Sequence, residues 1–348
     1  MNIYDILRQE PEIWDLFTRK EEYDDPIRDK YGRFPYWASR HRDIFKPKVS
    51  EYLIKQGLRF EYPDDAPFAV CFTHDIDVVY KSVPSKGFTA IKALKQSNLS
   101  QSIHSLSQMR SRKNPFCNFK EIMDLEERYG AKSTFFFMAE EPGEQDYAYN
   151  IEDLESEIGE IIDQGWEVGL HGGHSTYLDP SMMQKKKERL ERVTGKPVIG
   201  YRNHFLRFRV PDTWKYLSQA GFKYDSTFGY ADCAGFRNGM CHPFRPFDLH
   251  TGREIDIVEI PLNVMDGTLD QGYMRLDPGK AIEVIQRLID EIERCHGIIT
   301  ILWHNTYFFD DKAKFYKKIL KYCMERRAWM TNGKEICEWF DNGLRIRG

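Results

Sequence analysis

After residue 67, apolar and polar positions alternate between two rhythms along the chain. Short runs rich in β-branched and aromatic residues have the length and composition of buried strands. They are Phe68 to Thr73, Lys132 to Met138, Trp166 to Leu170, Pro197 to Tyr201, Ile255 to Leu262 and Ile298 to Trp303, with a weaker run around Tyr224. Between them, apolar residues recur every three or four positions, as on one face of a helix. Ile122, Leu125 and Tyr129 do so between Asn118 and Gly130, and Leu154, Ile158, Ile161 and Ile162 between Asn150 and Gly165. Asp179-Pro180 and Asp277-Pro278 each set a capping acid before a proline at the first helical position.

Strand–helix alternation of this length predicts a parallel α/β sheet, and about seven units predict a distorted (β/α) barrel, closed or nearly so. An open doubly wound sheet would share the alternation, but no glycine-rich dinucleotide fingerprint follows the first strand. Residues 1–66 read as a mostly helical N-terminal extension rich in charge and aromatics, and 67–348 as the barrel domain. Residues 80–116, polar and only weakly amphipathic, read as an insertion at the rim where loops set substrate choice.

Composition narrows the function classes. A net charge of -4 lacks the basic surplus of a nucleic-acid binder. The basic run Lys185 to Arg192 is interleaved with acids and reads as a solvated helix face. No apolar stretch is long enough for a membrane span. The first residues lack a secretory pattern, and seven cysteines without a CxxC pair suit a reducing compartment, so a cytoplasmic location is expected.

Four strand-like runs end in side chains able to bind or catalyse: His74, Asp75 and Asp77; His171 and His174; Arg202 and His204; His304. In parallel α/β folds such tips converge on one face, where active sites sit. Asp75 and Asp77 leave an extended backbone on the same side, and a metal ion or a shared proton is the usual relief of their repulsion. Asp77 and His171 form a mixed N/O metal site, with His174 or His204 as third ligand. Zinc fits this donor set, and ferrous iron, cobalt or nickel would also accept it. Asp75 is then free as general base, with Arg202 holding it ionised, and His304 can serve as general acid. Asp225 or Glu259 is the candidate partner for the other ring nitrogen of His304. Tyr201, Trp303 and His242 are candidate substrate contacts.

In order along the chain, Thr73-His-Asp75-Ile-Asp77, His171-Gly-Gly-His174, Gly200-Tyr-Arg202-Asn-His204, Tyr224-Asp225 and Ile301-Leu-Trp-His304 resemble the motifs of the polysaccharide deacetylases, carbohydrate esterase family four. The histidine spacing differs, since the second histidine of that family comes four residues after the first and Ser175 stands there. The resemblance implies a distorted barrel and metal-dependent removal of an acyl group, acetyl first, from an amino sugar or sugar precursor. A cyclic-amide or formamide hydrolase on the same barrel is the alternative within the enzyme class. A carbohydrate-binding protein without catalysis is the alternative outside it.

Overall fold

Strand β1 (Ala69–Ile76) is buried along its whole length and organises the sheet. The computed structural model describes residues 2–24, 26–80, 115–270 and 272–343. After β1 come β2 (Thr134–Met138), β3 (Glu167–Gly172), β4 (Gly200–Asn203), β5 (Tyr224–Asp225), β6 (Val258–Glu259), β7 (Val264–Met265), β8 (Ile298–Leu302) and β9 (Trp329–Thr331). The strands pair in parallel in the order β6-β5-β4-β3-β2-β1-β8-β7, forming a curled sheet with helices around it, a distorted half-barrel. On one edge β1 pairs with β8. On the other it pairs first with β9 over Ala69–Cys71 and then with β2 over Thr73–Ile76. Within the run Ile255 to Leu262 only β6, two residues long, forms, β7 follows beyond its end, and β9 had no separate sequence signal.

The helix signals act as their chemistry requires. Asp179 accepts the Met182 N–H at 3.0 Å ahead of helix Pro180–Thr194, which ends on Gly195 in the left-handed conformation. Asp277 accepts the Lys280 N–H at 2.9 Å ahead of helix Pro278–Arg294, whose Ile285, Leu288, Ile289 and Ile292 are buried. Asn118 differs: its amide donates to the Asn305 carbonyl rather than accepting from the helix it precedes.

The N-terminal segment is built into the body of the molecule. Tyr4, Leu7, Phe17, Val49 and Leu53 share one apolar cluster with Phe228, Phe244 and Phe247. Glu22, fully enclosed, accepts from Arg19 Nε at 2.8 Å and from Arg237 Nη2 at 2.5 Å. Removing one member of such a buried ion group typically costs about 3–5 kcal/mol, because the remaining charge is left uncompensated. Most of the insertion expected over 80–116 lies outside the described residues. Among those described, no helix is long and apolar enough to cross a membrane.

Candidate active site

Strand alternation decides which tip residues reach the barrel interior. On β1, Thr73 and Asp75 face inward, where both meet the Arg202 Nη1, at 2.8 and 3.4 Å. His74 between them faces the helices, with Nε2 2.8 Å from Glu126 and Nδ1 2.6 Å from the Trp303 carbonyl. The Glu126 carboxylate also accepts from Ser133, Trp166 and Tyr316, so His74 belongs to a structural polar cluster. His171 on β3 is paired in register with Arg202 on β4, which brings both into the same interior layer. A Cβ on Gly169, two residues earlier on the same face, would lie 2.6 Å from the Phe136 ring, and Arg202 packs over that ring at 4.9 Å.

Two histidines converge on Asp77. The His171 Nδ1 donates to the Arg202 carbonyl at 3.0 Å, leaving Nε2 3.2 Å from Asp77 Oδ1. The His204 Nδ1 donates to Asp146 Oδ2 at 2.9 Å, leaving Nε2 3.8 Å from the same oxygen. Each ring is therefore locked in one tautomer, with a lone pair aimed at a common point. The ligand atoms of Asp77, His171 and His204 all lie within 4.8 Å of one another. Donors about 2.1 Å from a tetrahedral cation stand about 3.4 Å apart, so this cluster fits a metal such as zinc. Among the described residues, neither Asp77 Oδ1 nor His171 Nε2, both buried, has a hydrogen-bond partner. Burial would raise the Asp77 carboxyl, but His171, His304 and His204 together hold it well below the usual carboxylate range. Burial likewise opposes charge on His171, and Asp75 and Asp77 overcome it to raise this imidazole.

Of the two candidates for a third ligand, His204 lies in the cluster and His174 stands outside it. The His174 ring packs edge-on to Phe205 at 5.9 Å, and burial and the Arg207 charge lower its pKa.

His304 Nε2 stands 3.7 Å from Asp77 Oδ2, the carboxylate oxygen other than the one His171 and His204 approach. Its Nδ1 donates to Asp266 Oδ1 at 2.7 Å, and its backbone N–H donates to Asp266 Oδ2 at 2.6 Å. Burial would lower the imidazole, but Asp266, then Asp77 and Asp75, push it up to about 10. Neither Asp225 nor Glu259 plays the partner role expected of one of them. They sit side by side on β5 and β6, where burial raises both carboxyls, Trp214 donates to Glu259 and Thr227 donates to Asp225. Asp266 follows β7 at its tip, the same signal that marked the other site residues. It was hidden because β7 is only two residues long. Asp146 lies in the loop after β2 and carried no signal.

Asp75, Asp77, His204 and His304 line one pocket of about 190 Å³, walled also by Phe205, Leu206, Met265, Gly267, Tyr273 and Arg33. The three expected substrate contacts do not join them. Tyr201 and Trp303 immediately precede Arg202 and His304, so alternation turns them to the opposite side. Tyr201 is buried against Phe222, and Trp303 is buried against Phe315. His242 is fully buried, stacked on Phe60 and bonded through Nδ1 to Ser50 and through Nε2 to the His296 carbonyl.

No family profile and no curated protein matches the chain. Solved structures do. A protein from Mycobacterium smegmatis, described as a candidate polysaccharide deacetylase, is 20% identical with a TM-score of 0.55, and the match covers 81% of this chain and 93% of that one. Puue allantoinase is 15% identical with a TM-score of 0.55, covering 91% of this chain and 98% of its own. At these identities the likeness is one of fold.

Proposed function

On this polysaccharide-deacetylase-like barrel, we propose that Asp77, His171 and His204 hold a divalent metal ion, zinc first among the candidates. The chain then hydrolyses the amide of an N-acyl group, acetyl above all, on an amino sugar or sugar precursor. One observation carries the reading. Two tautomer-locked histidines aim their free nitrogens at a carboxylate oxygen that lacks any other partner, beside a second acid and a third histidine. When bound, such an ion polarises a carbonyl and brings the pKa of water towards neutrality.

The other roles follow from geometry. Asp75, buried and held by Arg202, accepts a proton from the attacking water at a carboxylate oxygen. His304, keyed by Asp266, holds a proton on Nε2 and delivers it to the departing nitrogen. Arg202 also donates to the Thr73 hydroxyl and to both the carbonyl and hydroxyl of Ser226, so its position is fixed from β1 and from the residue after β5. Hydrolysis of a cyclic amide is the second reading. It draws on the likeness to an allantoinase along nearly the full length of both chains. The small pocket, narrowed by Arg33 and Tyr273, also suits a compact substrate.

The decisive experiment pairs metal analysis with a substrate panel. Wild type should carry metal that Asp77→Ala and His171→Ala lose. Wild type should also release acetate from an N-acetylated amino sugar or its nucleotide-linked form, or open the ring of allantoin, while Asp75→Asn does neither. Equal metal content in all three proteins would refute the ligand set. Metal-replete wild type inert on the whole panel would refute the hydrolase reading in favour of binding without catalysis.

A further inference from the structure

The turn that follows β4 carries unusual backbone. Phe205 and Leu206 have φ of 59° and 53°, a left-handed conformation that costs bulky residues on the order of 1–3 kcal/mol. This turn directs His204 towards Asp77, so whatever holds the turn also holds the metal-site nitrogen. Its holders come from the N-terminal segment. Arg33 Nη1 donates to the Phe205 carbonyl at 2.8 Å, Nη2 donates to the Tyr273 hydroxyl at 2.7 Å, and Nε donates to Asp29 at 2.8 Å. The Phe205 ring is stacked between two others: His204, with centroids 3.9 Å apart, and Tyr31, 4.9 Å apart at an angle of 14°. The Arg33 guanidinium covers the Tyr31 ring at 4.7 Å.

We infer that Arg33 and Tyr31 are positioning residues for His204, and that the loop of residues 29–33 is a working part of the metal centre. The inference rests on the assignment of Asp77, His171 and His204 as ligands. A fork with three donors fixes the Phe205 carbonyl relative to Tyr273 and Asp29, and Tyr31 closes the stack that keeps the His204 ring from rotating. Asp146 fixes the tautomer of that ring, and the stack fixes its plane.

Electrostatics supplies a test of sign. Arg33 is a cation in the wall of the pocket, so deleting it favours a second cation nearby if charge alone matters. Positioning predicts the reverse. Groups that orient metal ligands typically contribute about 10–100-fold to affinity.

The experiment uses the full chain stripped of metal and measures Zn²⁺ affinity by competition with a chromophoric chelator, with the visible absorption of bound Co²⁺ as a report on ligand geometry. Wild type should bind, and His204→Ala should lose much of that affinity. Arg33→Ala should bind about 10–100-fold more weakly than wild type with an altered Co²⁺ spectrum. Tyr31→Leu, which leaves every Arg33 hydrogen bond in place, should move both readouts in the same direction by less. It decides the matter if Arg33→Ala does not fold. If His204→Ala loses metal while Arg33→Ala and Tyr31→Leu bind as tightly as wild type or tighter, the ligand assignment stands and the positioning role is overturned. If wild type binds no metal, or His204→Ala binds like wild type, the ligand assignment itself fails and takes this inference with it.

Discussion

Replacing Asp266 by asparagine isolates the acid proposed for this site. Asp266 spends both carboxylate oxygens on one residue, accepting the backbone N–H and the ring Nδ1–H of His304 at 2.6 and 2.7 Å. Asparagine keeps one acceptor and presents an amide donor in place of the other, so one His304 donor must face a donor. A buried unmet donor costs about 1–3 kcal/mol. Loss of charge adds to this. His304 stands at about 10 against burial, which opposes it, and Asp266 is the largest of the groups that raise it. From an ordinary value near 6.5, that position corresponds to a preference for imidazolium of about 5 kcal/mol. A group raised in this way stabilises the fold fully below about pH 6.5 and loses that contribution as the pH rises through about 10. In metal-free protein followed by NMR, the wild-type ring is expected to titrate near pH 10 and the Asp266→Asn ring about 1–3 pH units lower. The gap in unfolding free energy between the two proteins should be widest near neutral pH and narrow at high pH. With metal bound, kcat should fall by about 10²–10⁴-fold while KM changes little, since the charge on the acid matters most in the transition state. Identical titration of His304 in both proteins, or kcat within about threefold, would refute the assignment of Asp266 and His304 as a proton-donating pair.

Arg202→Met leaves Asp75 buried without its cation and should destabilise the protein by about 3–5 kcal/mol in urea unfolding. Adding Asp75→Asn should recover part of that stability without any activity, and no recovery would mean that the two are not coupled. His242, fully buried, has its pKa lowered to about 4 by desolvation. It therefore contributes stability above about pH 6.5 that is lost as the pH falls through about 4, a loss of about 3 kcal/mol that His242→Gln should remove from the pH profile of unfolding. At Gly172, beside His171, an added Cβ would lie 2.0 Å from the Tyr201 hydroxyl. Gly172→Ala should thus lower stability by about 1–3 kcal/mol in thermal unfolding and weaken metal binding, whereas Gly159→Ala, helical and with nothing near its added Cβ, should leave metal binding unchanged.

The interior face of the candidate site was legible because a strand exposes its side chains by strict alternation. Asp75 and Asp77 share a side, and Arg202 and His304 close two other strands at the same end. The same rule, applied one residue earlier, turns His74, Tyr201 and Trp303 away from the pocket, and the aromatic neighbours of Arg202 and His304 were wrongly expected within it. The choice between His174 and His204 was not legible, because it depends on a left-handed turn at Phe205 that no ordinary residue signals. Asp266 was missed because a strand of two residues has no period to detect. Arg33 was out of reach because its partner Phe205 is 172 positions away, and no local pattern encodes such a contact. The parallel sheet and its curl followed from alternation of elements, while β9 was too short and too polar at its end to separate from the helix after it.

The enclosed Glu22 bears on how the chain is made. Its partner Arg237 lies 215 positions downstream. At ribosomal rates of about 5–20 residues per second, the acid waits on the order of 10–40 s for that guanidinium to be synthesised. Throughout that interval Tyr4, Leu7 and Phe17 lack Phe244 and Phe247 to cover them, and Glu22 has only Arg19. These helices leave the ribosome well before Arg237 and are therefore among the last elements to settle, and a nascent chain stalled before Arg237 presents an apolar, half-neutralised surface to the chaperones and proteases around it.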